Sequence, residues 1–342
     1  MAWNHEFVHL DAALSTLEAR QGRTAVDWTG VRVAHLDTGY TRGHPVFGTW
    51  TGDDSPVILA SQGLCLVPKP PPVVPPVDTG IGSGPLRNPW HGTRTGSALA
   101  GLKYKEFVGC APGVPIVPYR VVDDVVPLGD AEWLPIAEAL RHAVYTARCN
   151  IVSMSLGGFY PHREMGRAVD EAYERGVIMV AAAGQHSDRV TYPGKYARVF
   201  GVGGLRRLPN GEIRVYYDYS DHSERVDIWA PAAPITRADP IVPGNAPPIG
   251  SGDGTSYATV HVAAAAAIWL RYREAELVPY EGWRRVEAFW HCLNRTASMA
   301  KMPVGGNRYV NGVLDARAIL DVPLPPPERL NPNWRRAEDE NQ

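Results

Sequence analysis

From residue 31 to residue 207 the chain alternates short, wholly apolar runs with longer stretches whose apolar positions recur every three or four residues. "VRVAHLD" (31–37), "VPIVPYRVV", "NIVSMSLGG", "VIMVAAAG" and "ARVFGVGGL" predict buried strands, while "DAEWLPIAEALRHAVYTAR" and "REMGRAVDEAYERG" predict helices with one apolar face. Strands that are apolar on both sides need cover on both sides. The prediction is therefore an α/β fold, a three-layer sandwich with a mostly parallel central sheet flanked by helices. A last helix, within "GDGTSYATVHVAAAAAIWL" (252–270), is apolar almost all round and belongs in the core.

Outside that rhythm, residues 1–28 read as a short helical lead-in that ends at a glycine stop, too short for a domain. Residues 29–322 form one domain, interrupted at about 65–85 by "CLVPKPPPVVPPVDTGIGSGP", whose prolines exclude regular sheet or helix. This loop reads as an ordered surface insertion, with a proline-rich recognition ligand as the other reading. "WRRVEAFWHCLNRTASM" predicts a packing helix, and residues 323–342 read as a polar, mobile tail.

Composition removes several classes of function. The net charge of −2 and the lack of a basic run exclude a field that would gather nucleic acid, and no segment has the roughly 18 consecutive apolar residues of a membrane span. Four scattered cysteines, without a Cys-x-x-Cys pair, suggest reduced, buried thiols rather than a zinc site or disulfide framework. Without a signal-like N-terminus, the expected location is cytoplasmic.

Candidate chemistry begins at Ser256. A hydroxyl at the start of so apolar a helix is either a cap or a nucleophile helped by the partial positive charge of the helix N-terminus. Asp37 ends the first strand and His91 opens "HGTRTGSALAG", two places where parallel α/β sheets collect reactive groups. Alone, each is an ordinary loop or helix-start residue. Together they supply the carboxylate, imidazole and hydroxyl that nucleophilic catalysis requires.

"VAHLDTG", "HGTRTGSALAG", "SMSLGG", "VAAAG", "YPGKY" and "GTSYA", in that order, resemble the subtilisin-like serine peptidases over roughly residues 25–300. The resemblance implies a serine endopeptidase working through an acyl-enzyme, with Asp37 orienting His91, His91 as general base and acid, and Ser256 as nucleophile. It also implies an oxyanion hole made by the Ser256 amide and the residue after "AAAG", which is Gln185 where the family generally has asparagine. It places Ser155, Leu156, Gly157 and Gly158 along a substrate wall, the glycines admitting substrate backbone. Ala182, Ala183 and Gly184 would line the first specificity pocket, with the opposing wall near Val126 to Gly129. Asp123, Asp124, Asp130 and Glu132 cluster there, either to attract basic substrate residues or as solvated surface.

Other departures shape the expectations. Val260 stands where the family usually has proline, which opens an acyl-transferring, ligase-like variant as an alternative. Together with Gln185, it also raises that of a catalytically weak or silent fold that binds peptides or proteins. Arg94 replaces the family's second histidine and reads as a surface or supporting residue. His44 and His35 read as structural. Val46 replaces a calcium-binding aspartate, and no segment is rich enough in carboxylates to predict another calcium site. No metal or cofactor is expected, and the partners are a peptide or protein substrate and a regulatory protein.

Overall fold

The computed structural model describes residues 2–67, 75–80, 88–185, 188–217, 226–241, 248–297, 301–305 and 308–341. Helices α1 (Trp3–Phe7) and α2 (Leu10–Gln21) precede strands β1 (Val33–Asp37) and β2 (Leu64–Cys65). Next come α3 (His91–Ala100), β3 (Ile116–Arg120), α4 (Asp130–Tyr145), β4 (Ile151–Met154), α5 (Arg163–Glu174), β5 (Ile178–Ala182) and β6 (Phe200–Arg207). Strands β7 (Ile213–Val215), β8 (Ile228–Ala233), β9 (Ile235–Ala238) and β10 (Ile249–Gly252) lead to α6 (Thr255–Tyr272) and α7 (Trp283–Ala297).

The main sheet runs β2-β3-β1-β4-β5-β6-β7, with β8 also beside β6, and every pairing is parallel except β6 with β7. Strands β1, β3, β4 and β5 are buried at every position, as their apolar runs demand. The β2–α3–β3, β3–α4–β4 and β4–α5–β5 crossovers all advance the same way along the sheet. Helices α4 and α5 pack on each other and α3 packs on α6, so α3 lies in the other layer and its β2–α3–β3 crossover has the hand opposite to those through α4 and α5. Helix α6 packs beside α3 and across β4, β5, β6 and β8, completing the second layer.

The lead-in belongs to the same core: Val8, Leu10, Ala13 and Leu17 are buried, and Asn4 Nδ2 lies 2.8 Å from His261 Nε2 on α6. The tail, predicted mobile, is instead docked. Asp170 accepts the Ala337 amide at 2.9 Å and the Glu338 amide at 3.1 Å, and Asn333 accepts from Arg198 through its carbonyl at 2.8 Å. The polar composition of the tail hides its anchor, a buried Asp170–Arg198 ion pair of 2.9 Å that leaves acceptor and donor capacity for the passing backbone.

Of the proline-rich insertion, residues 68–74 and 81–85 lie outside the described residues. Its described part returns to the sheet, where Val77 bridges Tyr40 just beyond β1. All four cysteines are buried and free, and among the described residues no helix is long and apolar enough to cross a membrane.

Candidate active site

The strand order reverses about β1, with β3 on one side and β4 on the other, and such switch points open a crevice at the strands' carboxyl ends. Asp37 is the last residue of β1, His91 the first of α3, and Ser256 the second of α6. Ser155 follows β4, and Gln185 follows β5. The crevice is a cleft of about 440 Å3 lined by His91, Ser155, Leu156, Gly157, Ala182, Gly184, Gln185 and Ser256.

His91 Nδ1 donates to Asp37 Oδ1 at 2.8 Å and approaches Oδ2 at 3.0 Å. The Thr38 amide donates to Asp37 Oδ1 at 2.7 Å and the Thr95 hydroxyl to Oδ2 at 3.1 Å. Burial would raise the Asp37 pKa, but the His91 ring, His35 and the Thr38 amide outweigh it and hold the carboxyl below its usual range. His35 is pushed down to about 4 by burial, against the pull of Asp37, and is therefore neutral near pH 7. Its Nδ1 lies 2.8 Å from the Tyr40 hydroxyl, a donor to a neutral ring, so Nε2–H faces Thr95 Oγ1 at 3.2 Å and Asp37 Oδ2 at 3.6 Å.

The start of α3 is seated tightly. A Cβ on Gly92 would fall 2.3 Å from the Gly39 carbonyl oxygen, so only glycine lets His91 come down onto Asp37. Trp90, at φ 60°, holds a left-handed backbone that is costly for tryptophan. Its amide donates to Asp78, which also accepts the Thr38 hydroxyl at 2.6 Å, while Thr38 Oγ1 accepts the Gly92 amide at 3.0 Å. Asp78 thus ties the end of β1 to the start of α3.

Across the cleft, Gly254 takes φ 139°, a conformation open to glycine, and turns the chain into α6. Of residues 255–270, Ser256 alone escapes burial. Its hydroxyl donates to the Ser155 carbonyl at 3.3 Å, and the Ser155 hydroxyl donates to the Ser256 carbonyl at 3.0 Å. The structure therefore brings Asp37 onto His91 and sets Ser256 in the same cleft, with the serine hydroxyl turned to Ser155 rather than to the imidazole. Gln185 Oε1 accepts the Thr255 amide at 2.9 Å. Only the carbonyl end of the side chain can accept, so this bond fixes the amide orientation and leaves Nε2 as a donor without an acceptor among the described residues.

One predicted wall residue and one predicted pocket residue lie elsewhere. Gly158 does not line the cleft: its amide donates to the Tyr192 carbonyl at 2.9 Å, and a Cβ there would meet the Pro127 carbonyl at 2.6 Å. Ala183 is fully buried, its amide donating to Val202 and its carbonyl accepting from Thr191. It follows the end of β5 and alternates away from Ala182 and Gly184. The glycines, moreover, make room for the protein itself, since a Cβ on Gly157 would stand 2.2 Å from Thr191 Oγ1.

Val125 and Val126 form the opposing wall near its expected place. The acidic residues around it are occupied: Asp123 by Arg120 at 2.7 Å, Asp130 by His162 at 3.1 Å and Glu132 by the Gly129 amide at 3.1 Å. Missed from sequence are Asn88, Thr191, Arg237, Ser251, Gly252, Asp253 and Tyr257 in the lining; Arg94, read as supporting, also lines the cleft. Its spacing one helical turn after His91 was a usable signal. His44 is buried, capping a short turn through Val46 N at 3.3 Å, away from the cleft.

Residues 29–312 match the Subtilase family. The chain is 28% identical over 292 residues to Subtilisin Savinase of Lederbergia lenta, covering 85% of this chain and 90% of that one. It is likewise 28% identical to an alkaline protease of Shouchella clausii, of which it spans 64%. Among solved structures, fervidolysin from Fervidobacterium pennivorans, described as a keratinolytic enzyme related to subtilisin, aligns with a TM-score of 0.66 at 26% identity. That alignment covers 87% of this chain and 43% of fervidolysin. With five-sixths of its length matched and the predicted sheet, helices and cleft in place, the chain belongs to the subtilase family.

Proposed function

We propose that this chain is a serine endopeptidase that cleaves peptide bonds through an acyl-enzyme. The observation that carries the reading is the convergence of the Asp37–His91 pair, Ser256 and Gln185 on one cleft at the carboxyl ends of the strands. In the reaction Ser256 Oγ attacks the scissile carbonyl while His91 Nε2 takes its proton, a step that needs the hydroxyl to rotate from Ser155 towards the ring. Apo geometries of catalytic hydrogen bonds commonly tighten only with substrate. The carbonyl oxygen becomes an anion received by the Ser256 amide and Gln185 Nε2. His91 then protonates the leaving nitrogen, the C–N bond breaks, and the acyl group stays on Ser256 until water, deprotonated by His91, releases it. Asp37 stabilises the imidazolium formed at each transfer.

The substrate, a peptide or protein, enters as an extended strand between Ser155–Gly157 and Val125–Val126. The Gly157 amide now donates to the Val125 carbonyl at 3.0 Å, so the entering strand must exchange this bond for one of its own. Four buried free thiols support a reducing, cytoplasmic setting.

A fluorophosphonate probe tests the reading. Labelling of the parent chain that disappears in Ser256→Ala is expected. Folded protein that takes no label would instead favour a silent fold that binds peptides.

A further inference from the structure

The cleft has a second half that the hydrolytic groups do not use. Ser155–Gly157, Ala182 and Gly184 flank the oxyanion donors and so face the acyl part of a substrate. His91, which must protonate the leaving nitrogen, marks the other side. Beyond it stand Arg94, one turn further along α3, and Arg237 on β9, both in the lining with Asn88, Ser251 and Tyr257.

These two guanidinium groups share one carboxylate. Arg94 Nε donates to Asp239 Oδ1 at 3.0 Å, and Arg237 Nη1 donates to the same oxygen. Asp239 is not among the residues that line the cleft, although its side chain is 25% exposed. Arg237 is 12% exposed; its guanidinium donates to the Tyr257 hydroxyl as well as to Asp239, and its buried Nε has no acceptor among the described residues. Among the described residues, the remaining donors of Arg94 reach the Pro89 carbonyl at 3.3 Å and Asn88 Oδ1 at 3.5 Å, both at the long end for such bonds.

The same side continues outward. Ser251, Gly252 and Asp253 also line an adjoining depression that contains Arg206 and Arg207. Asp253 is the acidic residue there, and its Oδ2 already accepts the Tyr216 hydroxyl. Around this side, four arginines thus stand against two carboxylates, Asp239 and Asp253. The opposite half of the cleft carries no comparable excess of positive charge in its lining.

We propose that the leaving-group side of this cleft recognises a carboxylate, so that the preferred substrates carry Asp or Glu within the first two residues after the scissile bond. This rests on the peptidase reading for the word substrate. The recognition itself requires only that the peptide bind. Paired guanidinium groups with open donors match a carboxylate in shape as well as charge. A lysine at that position would meet like charge and lose affinity.

The test uses the full chain in two forms. Peptides identical except for Glu, Gln or Lys at those two positions are bound to Ser256→Ala and cleaved by the parent. The Glu peptide is expected to bind at least about tenfold tighter than the Gln peptide and tightest relative to Lys, the advantage shrinking as salt rises. Arg237→Gln or Arg94→Gln should reduce that ratio several-fold, whereas Asp239→Asn, which removes the shared counter-charge, should raise it. A purely structural role for these arginines would not produce opposite signs. Equal binding of the three peptides, a preference for Lys, or a ratio unmoved by all three variants overturns the proposal. Carboxylate discrimination by Ser256→Ala, in a parent chain that takes no fluorophosphonate, would sink the peptidase reading and leave this one standing.

Discussion

Two places in this molecule hold the same three chemical types, a nucleophile, an imidazole and a carboxylate. In the cleft they are Ser256, His91 and Asp37. In the interior, Cys110 Sγ lies 3.5 Å from His5 Nε2, and His5 Nδ1 lies 3.3 Å from Asp11. Burial disfavours charge on both Cys110 and His5. It is outweighed for the thiol by His261 and His5, which lower its pKa, and for His5 by Cys110 and Asp11, which raise its pKa.

By residue type the interior set matches the cleft, and its thiol and imidazole each favour the charged form of the other. It differs in access and in what waits for the developing oxyanion. Cys110 is 1% exposed and does not line the cavity beside His5, and its amide donates to the Ala98 carbonyl at 2.8 Å. Ser256 stands at a helix start on an open cleft, with Gln185 beside it. On the proposed reading, what separates the cleft set from the interior one is a half-buried hydroxyl at a helix start beside hydrogen-bond donors at the strand ends.

The largest contrast should appear on removing each nucleophile. Ser256→Ala should lower kcat by about 10³-fold or more. Cys110→Ala should leave kcat within about twofold while costing about 1–3 kcal/mol of stability in urea unfolding, because His5 loses its partner. A comparable loss of turnover from both variants would erase the distinction.

Next in size is the oxyanion donor. Gln185→Ala should cost about 10²–10³ in kcat with little change in KM, the loss that subtilisin shows when such a donor is removed. Gln185→Asn should also be slower than the parent, because the shorter arm cannot both accept the Thr255 amide and present its N–H groups to the cleft. A faster Asn variant would mean that glutamine is held out of place.

The two buried histidines give a pH test of opposite sign. His35, held at about 4, refuses a proton that the unfolded chain accepts at 6.5, so its contribution to stability is lost as pH falls from 6.5 towards 4. The slope is at most about 1.4 kcal/mol per pH unit, and His35→Gln should remove it from urea titrations over that window. His5, raised by its partners, contributes stability at low pH that is lost as pH rises through its folded value. A His35→Gln chain with an unchanged acid slope would show that His35 is not the neutral neighbour of Asp37.

Smallest is the reactivity of Cys110 itself. Despite its lowered pKa, iodoacetamide should modify it only on unfolding, with a native rate far below that of a free thiol. Rapid native alkylation, read by mass spectrometry, would show that the interior cluster opens.

Much of this was legible in the chain. Asp37, His91 and Ser256 stand where apolar runs end and helices begin, and strand polarity alone carries such positions to one edge of a parallel sheet. Gly158 and Ala183 were misplaced because their surroundings depend on Tyr192 and Thr191, which return from a distant loop. Arg237 escaped notice because its hairpin of β9 and β10 lacks the alternation that marks a strand; its burial pattern mixes buried, half-buried and exposed positions. The tail was misread because its partner, the Asp170–Arg198 pair, is assembled from α5 and the segment before β6, and neither residue announces a free acceptor in sequence.

The most direct test is a crystal structure of the chain with a peptidyl boronic acid. Boron bonded to Ser256 Oγ is expected, with one boronate oxygen within hydrogen-bond reach of the Ser256 amide and Gln185 Nε2, and His91 still paired with Asp37. Boron on any other side chain, or a bound boronate whose oxygen leaves Gln185 without a role, would contradict the account.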